Sequence, residues 1–578
     1  MTHALTTHSL WRATRAGLER LSFATRLALL VGAHGVLALW LWRQPQHGWA
    51  SLALSIPITA LALGALPPTH HRLLRVLRGL VIAALYDTNL TFATYYGRFV
   101  SVSELRLLAN NSLVELGASL ALYFNWSAVL AAVALALLWD ALIEFHPSPD
   151  THQSESLFIG PRAAKKRGLA AALWLVSLLT LKLEFQPLAL MDPMADYVAT
   201  IAAYQLDRVL HRSPAPIVRA QAALPDAPPP PFDIIYIIGE SFRADRFPPQ
   251  PSARPVTPFL SHVALPHVYF SNVSSHGDCT GRSVPYLMVE PKAPLHRNLY
   301  RQPTLFQYAK AAGFETSFIY SNENDWNEFV TGAIDHLHRN RELNHATGDW
   351  LFNDDRAMLP TITAQLHEPK PQFIVIESYT SHWPYADRYR SCANCRVYRP
   401  DNQGEPMPFA ERYRQPITNS YDNAILYFDH FFESVVHEIK KPTLVIFTSD
   451  HGESIGDQGR WGHCSQGPEQ MKVPLMFIAS TPEVATLARF GDLAAKQTLP
   501  LSHAQLFKTV LQFLGYTQTP IGLDYPPSVF EVPNDGVADR TVLVSEIGLG
   551  QDPVSIAHLN AHSEITQIVT EQPHETHP

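Results

Sequence analysis

Five apolar stretches crowd into the first 190 residues of this 578-residue chain, and no other feature limits its fold so sharply. They run over 27–42, 49–66, 79–96, 116–138 and 168–190, each approaching the roughly 20 residues that a helix needs to cross a bilayer. The first is short, the third carries Asp87, and the fifth carries Lys182 and Glu184 near its end. Basic residues alternate between them: Arg12, Arg15, Arg20 and Arg26 before the first, Arg72, Arg75 and Arg78 before the third, Arg162, Lys165, Lys166 and Arg167 before the fifth. Such clusters stay in the cytoplasm. The expectation is an α-helical transmembrane domain of about five spans over 1–190, with a cytoplasmic N-terminus and the rest of the chain exported. No small-residue cleavage site follows the first apolar run, so it reads as an uncleaved anchor.

Residues 195–212 repeat apolar positions at helical spacing, which suits a helix lying on the outer membrane surface or a packed soluble helix. The run APPPP at 227–231 is stiff and extended and marks a boundary. Residues 191–231 are therefore expected to be an interfacial helix and a Pro-rich linker. Beyond them, apolar runs at 233–240, 316–321, 371–378, 443–454 and 473–480 alternate with helical segments. Continuous runs of this kind are what strands buried on both faces of a parallel sheet look like. An α/β domain with a largely parallel central sheet is expected over 232–548, followed by a flexible tail over 549–578. The net charge of −8 argues against a general nucleic-acid binder. The four cysteines, Cys279, Cys392, Cys395 and Cys464, suit either two bridges in an oxidising compartment or free thiols.

In open α/β sheets, ligands bind beyond the carboxyl ends of the strands. Two runs end there in Glu240-Ser241 and in Asp450-His451-Gly452-Glu453. A carboxylate from one strand end and an Asp-His pair from another form a donor set suited to zinc, with one position left to fill.

The stretches IIYIIGESFRADRF (234–247), RPVTPFL (254–260), HGDCTGRSVPYLM (276–288), SYTSHWPYADRY (378–389), NSYDNAILYFD (419–429), FTSDHGESIGDQG (447–459), GHC (462–464) and SHAQLFKTVLQFLG (502–515) resemble, in order, the lipid A phosphoethanolamine transferases of the alkaline-phosphatase-like superfamily. The five-span anchor is similar too. The resemblance implies a zinc held by Glu240, Thr280, Asp450 and His451, with Thr280 also the nucleophile, because a metal-coordinated hydroxyl loses its proton more readily. It places His382 and His463 against the transferred phosphate or a second zinc, and aligns Asn324 with a family asparagine, although the lysine that follows it in the family is absent. It further implies phosphatidylethanolamine as donor, lipid A or another envelope polysaccharide as acceptor, and a bacterial inner-membrane location with a periplasmic catalytic domain.

The family's cysteine four residues before the nucleophile is here His276, while Cys279 directly precedes Thr280 and Cys464 directly follows His463. A Cys279–Cys464 bridge tying the two loops is the expectation, with a local Cys392–Cys395 bridge where the family also carries cysteines. Three alternatives stand beside this reading. A sulfatase-type hydrolase would need a C/S-x-P-S-R motif, where this chain has Gly281 for the proline and Ser283 for the arginine. A phosphoglycerol transferase of the same superfamily would share the zinc and the threonine. An inactive membrane scaffold would have no need of a complete ligand set.

Overall fold

The computed structural model describes residues 72–96, 100, 105, 125–143, 193–210, 219–250, 254–289, 302–320, 333–339, 354–402, 409–518, 526–533, 540–544, 554–560, 562 and 564–571. The chain divides into two units: residues 1–109 with 123–213, and residues 110–122 with 214–578.

In the first unit, helices α1 (Arg72–Tyr96), α2 (Trp126–Ile143) and α3 (Pro193–Leu210) pack together. Tyr86, Leu90, Ala132, Leu135, Trp139 and Met194 form their shared core, and the Trp139 indole donates to the Tyr86 hydroxyl at 2.7 Å. The buried Asn89 amide donates to Asp196 at 3.0 Å, which ties α3 to α1. Asp196, Ala199, Thr200 and Ala203 are all buried. The face of α3 that the sequence offers to a membrane surface is thus spent, at these positions, on helix packing.

The third apolar stretch falls in α1 and residues 126–138 of the fourth fall in α2, while the first, the second, the fifth and residues 116–124 of the fourth lie outside the described residues. Among the described residues no helix is long and apolar enough to cross a membrane.

The second unit is built on an eight-stranded sheet. Its strands are β1 (Asp233–Gly239), β2 (His267–Ser274), β3 (Glu315–Tyr320), β4 (His336–Arg339), β5 (Gln372–Glu377), β6 (Thr443–Ser449), β9 (Lys472–Ala479) and β10 (Leu501–Ser502), in the order β10-β2-β9-β6-β1-β5-β3-β4. The two-residue strands β7 (Ser454–Ile455) and β8 (Trp461–Gly462) pair apart as a hairpin. Every residue of β1, β5 and β6 is buried, which is why these segments read as unbroken apolar runs. The hydrophobic run at 473–480 is also buried, but β9 is antiparallel to both β2 and β6. A buried run reports burial and not direction; direction depends on how the connecting chain returns.

Helices α4 (Thr280–Met288), α5 (Leu305–Ala311) and α7 (Ala504–Phe513) join the core on the sheet, as does the 24-residue α6 (Arg414–His437).

Two sequence boundaries shift. The Pro-rich segment is bound to the catalytic unit: the Ala227 amide donates to Gly515, the Tyr516 hydroxyl to Ala223, and Thr517 and Gln518 to the Asp226 carboxylate. Polyproline stiffness leaves backbone carbonyls and flanking side chains open to such capture. Likewise the region expected as a flexible tail supplies β12 (Val554–Leu559) and β13 (Ile565–Glu571), paired antiparallel with β11 (Arg540–Leu543). Ala557 and Leu559 bury themselves against Met471, Val542 and Val544, while Ile556 joins the main core.

Candidate metal and nucleophile centre

The centre lies at the carboxyl ends of β1, β5 and β6. Glu240 follows β1, and Asp450 and His451 follow β6; all three are buried. Thr280 is the first residue of α4, after Cys279 at its N-cap. Its hydroxyl donates to Glu240 Oε2 at 3.1 Å and lies 3.2 Å from His451 Nε2. His451 Nε2 is in turn 3.3 Å from both Glu240 Oε1 and Asp450 Oδ2. The structure therefore brings Glu240, Thr280, Asp450 and His451 to one point.

The surrounding hydrogen bonds fix which atoms face that point. His451 Nδ1 lies 2.7 Å from the Gly452 carbonyl, an acceptor only, so Nδ1 carries a proton and Nε2 is the nitrogen that faces inward. Asp450 Oδ1 accepts from the Ser241 amide at 3.0 Å and the His451 amide at 2.6 Å. Asp450 Oδ2 is buried with no hydrogen-bond partner. A carboxylate oxygen left bare inside a protein is costly. Here it lies 3.3 Å from His451 Nε2 beside a second carboxylate and a hydroxyl, a donor set that fits a tetrahedral divalent cation such as zinc.

Electrostatics give the same picture. Burial opposes charge on Glu240, but the hydrogen bond and charge of His451, with His382 and His463 beyond, hold it well below the usual carboxylate range. Burial and the nearby Glu240 raise Asp450. Burial would lower His451, yet Asp450 and Glu240 push it up to about 10. Glu377, at the end of β5, is raised well above its ordinary value by burial and by Glu240, Asp450 and Asp355. An excess of clustered carboxylates resists ionisation, and a bound cation would relieve it.

Two strained backbones position the loops. Ser241 and Cys464 both adopt φ of 62°, a left-handed conformation that non-glycine residues hold only where the surroundings enforce it. At Ser241 it aims the amide at Asp450. Gly452 is required for close approach: a Cβ there would run into the Glu469 carbonyl and lie 2.9 Å from that of Lys472.

His463 joins the cluster. Its Nδ1 lies 2.9 Å from buried Glu453 Oε2, its ring centroid is 4.5 Å from that of His451, and Glu240, His451 and His463 have ligand atoms within 4.8 Å of one another. His382 stacks on Tyr379 and lies 5.5 Å from His463, ring to ring. Desolvation, reinforced by His463 and Arg388, holds it below the usual histidine range despite Glu240. Asn324 lies outside the described residues.

Cys279 is joined to Cys464 across 185 residues, and Cys392 to Cys395. His430 Nδ1 lies 3.5 Å from Cys395 Sγ, but with both sulfurs in a disulfide this trio offers no thiolate to a metal.

Sequence reasoning passed over several supports. Asp278 pairs with Arg282 at 2.6 Å in the interior and accepts the Gln466 amide at 2.9 Å, locking the Thr280 loop to the His463 loop. Glu453 belongs to the same Asp-His-Gly-Glu motif, and Tyr385 donates to it. Glu377 was legible by the logic that found Glu240, since it is the polar residue closing an apolar run.

Residues 233–516 match the family model described as sulfatase. The chain is similar to a Kdo(2)-lipid A phosphoethanolamine 7''-transferase of Escherichia coli, 31% identical over 161 residues, covering 26% of this chain and 28% of that protein. It is also similar to phosphoethanolamine transferase EptC of Escherichia coli, 24% identical over 485 residues, covering 78% and 81%. The first curated relatives are matched over only 28% to 53% of their own length. The solved integral membrane protein lipooligosaccharide phosphoethanolamine transferase A of Neisseria meningitidis superposes with a TM-score of 0.57 at 18% identity, covering 88% of this chain and 95% of that one. At that identity the likeness is one of fold.

Proposed function

We propose, from the match of residues 233–516 to the sulfatase family model, that this chain is a membrane-bound phosphoethanolamine transferase. It takes phosphoethanolamine from phosphatidylethanolamine and passes it to an envelope acceptor, lipid A or another glycan, at the periplasmic face of a bacterial inner membrane. The observation that carries the reading is the Thr280 hydroxyl held at 3.1 and 3.2 Å from Glu240 and His451, beside the unpartnered Asp450 oxygen. The names and functions of the similar proteins support the choice of group and acceptor.

Glu240, Asp450, His451 and Thr280 would hold one zinc, with His382 and His463 left for the phosphate or a second ion. A bound zinc would supply charge that favours the deprotonated threonine and offsets charge developing on the phosphoryl oxygens. The chain's own groups do the rest. Glu240 accepts the Thr280 proton in the resting hydrogen bond. The positive end of α4 lies at the nucleophile, which favours an anionic phosphoryl group there. Thr280 Oγ forms a bond to phosphorus as the bond to the diacylglycerol oxygen breaks, and the proton that Thr280 gives up by way of Glu240 ends on that leaving oxygen. A hydroxyl or phosphate of the acceptor then displaces Thr280 from the same phosphorus.

With donor supplied and acceptor withheld, intact-mass analysis should show a phosphoethanolamine adduct on the peptide containing Thr280. Thr280→Ala should remove it, and Glu240→Ala, Asp450→Ala or His451→Ala should suppress it together with zinc content. An adduct that survives in Thr280→Ala rejects this nucleophile, and a glycerol-phosphate adduct moves the chain to the phosphoglycerol transferases.

A further inference from the structure

A cavity of about 460 Å³ opens in the second unit, lined by Arg243, Arg246, Arg412 and Arg414 with Glu411 and Asp457. Four guanidinium groups line it with two carboxylates, and Asp245 and Asp422 pair with Arg243 and Arg246 from outside the lining, so the weakly engaged cations are Arg412 and Arg414 at its mouth. The volume lies within the roughly 300–1,000 Å³ typical of small-ligand sites.

The arginines fall into two classes. Arg243 and Arg246 form a fixed base. Arg243 pairs with Asp245 at 2.8 Å and Asp457 at 2.6 Å. Arg246 spends Nε on buried Asp422 at 2.8 Å and Nη1 on Asp245 at 3.0 Å, which leaves the other amine of its fork for a ligand. Arg412 and Arg414 form the mouth. Arg414 has only the exposed Glu411 at 3.3 Å and Asp457 at 3.9 Å, pairs worth little in water. Arg412 lies over the Tyr413 ring at 4.8 Å, with no carboxylate in ion-pair range among the described residues. Gln415 and Thr418 add neutral donors to the wall.

The cavity also shares a wall with the metal cluster. Arg243 is three residues after Glu240, and its Nη1 donates to the Glu453 carbonyl at 3.3 Å. The carboxylate of that same Glu453 holds His463 at 2.9 Å. Ile455, two residues on, lines the cavity.

We propose that this basic cavity is a second binding site, for the phosphate monoester group of a phosphorylated sugar. A phosphate monoester carries close to two negative charges at neutral pH and accepts through three oxygens, which suits the two weakly engaged guanidinium forks of Arg412 and Arg414. The Gln415 and Thr418 side chains suit sugar hydroxyls. In the transferase reading, on which only this role rests, the site anchors a phosphate of the acceptor while another group of the same molecule reaches Thr280.

Titration calorimetry on the full-length, zinc-loaded protein in detergent tests the proposal with glucose 1-phosphate, glucose and inorganic phosphate as probes. Glucose 1-phosphate should bind and glucose should not. Arg412→Gln/Arg414→Gln, two exposed substitutions, should weaken binding at least tenfold with zinc content unchanged, and Glu240→Ala should leave it intact. Unchanged binding in the double variant overturns the proposal. So does loss of binding in Glu240→Ala alone, which places the phosphate on the metal cluster. Inorganic phosphate binding as tightly as the sugar phosphate overturns the sugar component. No readout depends on transfer, so failure of the transferase reading leaves each result interpretable.

Discussion

His451 carries two jobs that pull its proton in opposite directions. Asp450 and Glu240 raise its affinity for a proton to about pH 10 in the metal-free protein, yet a metal needs the same Nε2 unprotonated. Between pH 6 and 8 His451 therefore carries a proton that the proposed zinc would displace, and linkage sets the sign: affinity would rise with pH. One proton released per zinc corresponds to about a tenfold gain in apparent affinity per pH unit. The raised Asp450 steepens the slope at the acid end of that window. Competition with a chelator of known pH behaviour, run at pH 6, 7 and 8, checks this; a flat corrected affinity would mean that His451 is not a ligand.

At the scale of elements, Thr280 is held by loops clamped from three sides. The Cys279–Cys464 bridge joins the α4 N-cap to the loop after β8. Asp278 adds its pair with Arg282 and its bond to the Gln466 amide, and the Cys464 amide donates to the Asp278 carbonyl. From the third side, the Leu543 amide donates to His276 at 2.7 Å, which brings β11 onto the Thr280 loop. Loss of a bridge closing so long a loop typically costs about 2 to 4 kcal/mol. Cys464→Ala should thus lower the thermal midpoint while leaving a measurable Thr280 adduct, because Asp278 still couples the loops. Abolition of the adduct with an unchanged midpoint would assign the bridge a chemical role instead.

At the scale of the whole molecule, the five-span topology proposed from the alternating basic loops puts everything after the fifth apolar stretch outside the cytoplasm. A reporter enzyme active only in the periplasm should work when fused after Pro231 and fail when fused near Ser156. Activity at both junctions, or at neither, would reject the five-span topology.

The sequence alone was enough to pick out Glu240, Asp450 and His451, because a strand buried on both faces must be apolar until it ends, and a polar residue at that end has few purposes besides a site. It was also enough for the central strands, and for the same reason. Thr280 was reachable only through family resemblance, since nothing local distinguishes a threonine at a helix start from a cap. The direction of β9, the capture of the Pro-rich segment and the strands at 554–571 were decided by tertiary structure. Each depends on partners far along the chain: β2 and β6, the 515–518 turn, and Met471 with Val542. The basic cavity belongs with these, because Arg243 and Arg414 are 171 positions apart and line one cavity only when the segment after β1 meets the start of α6.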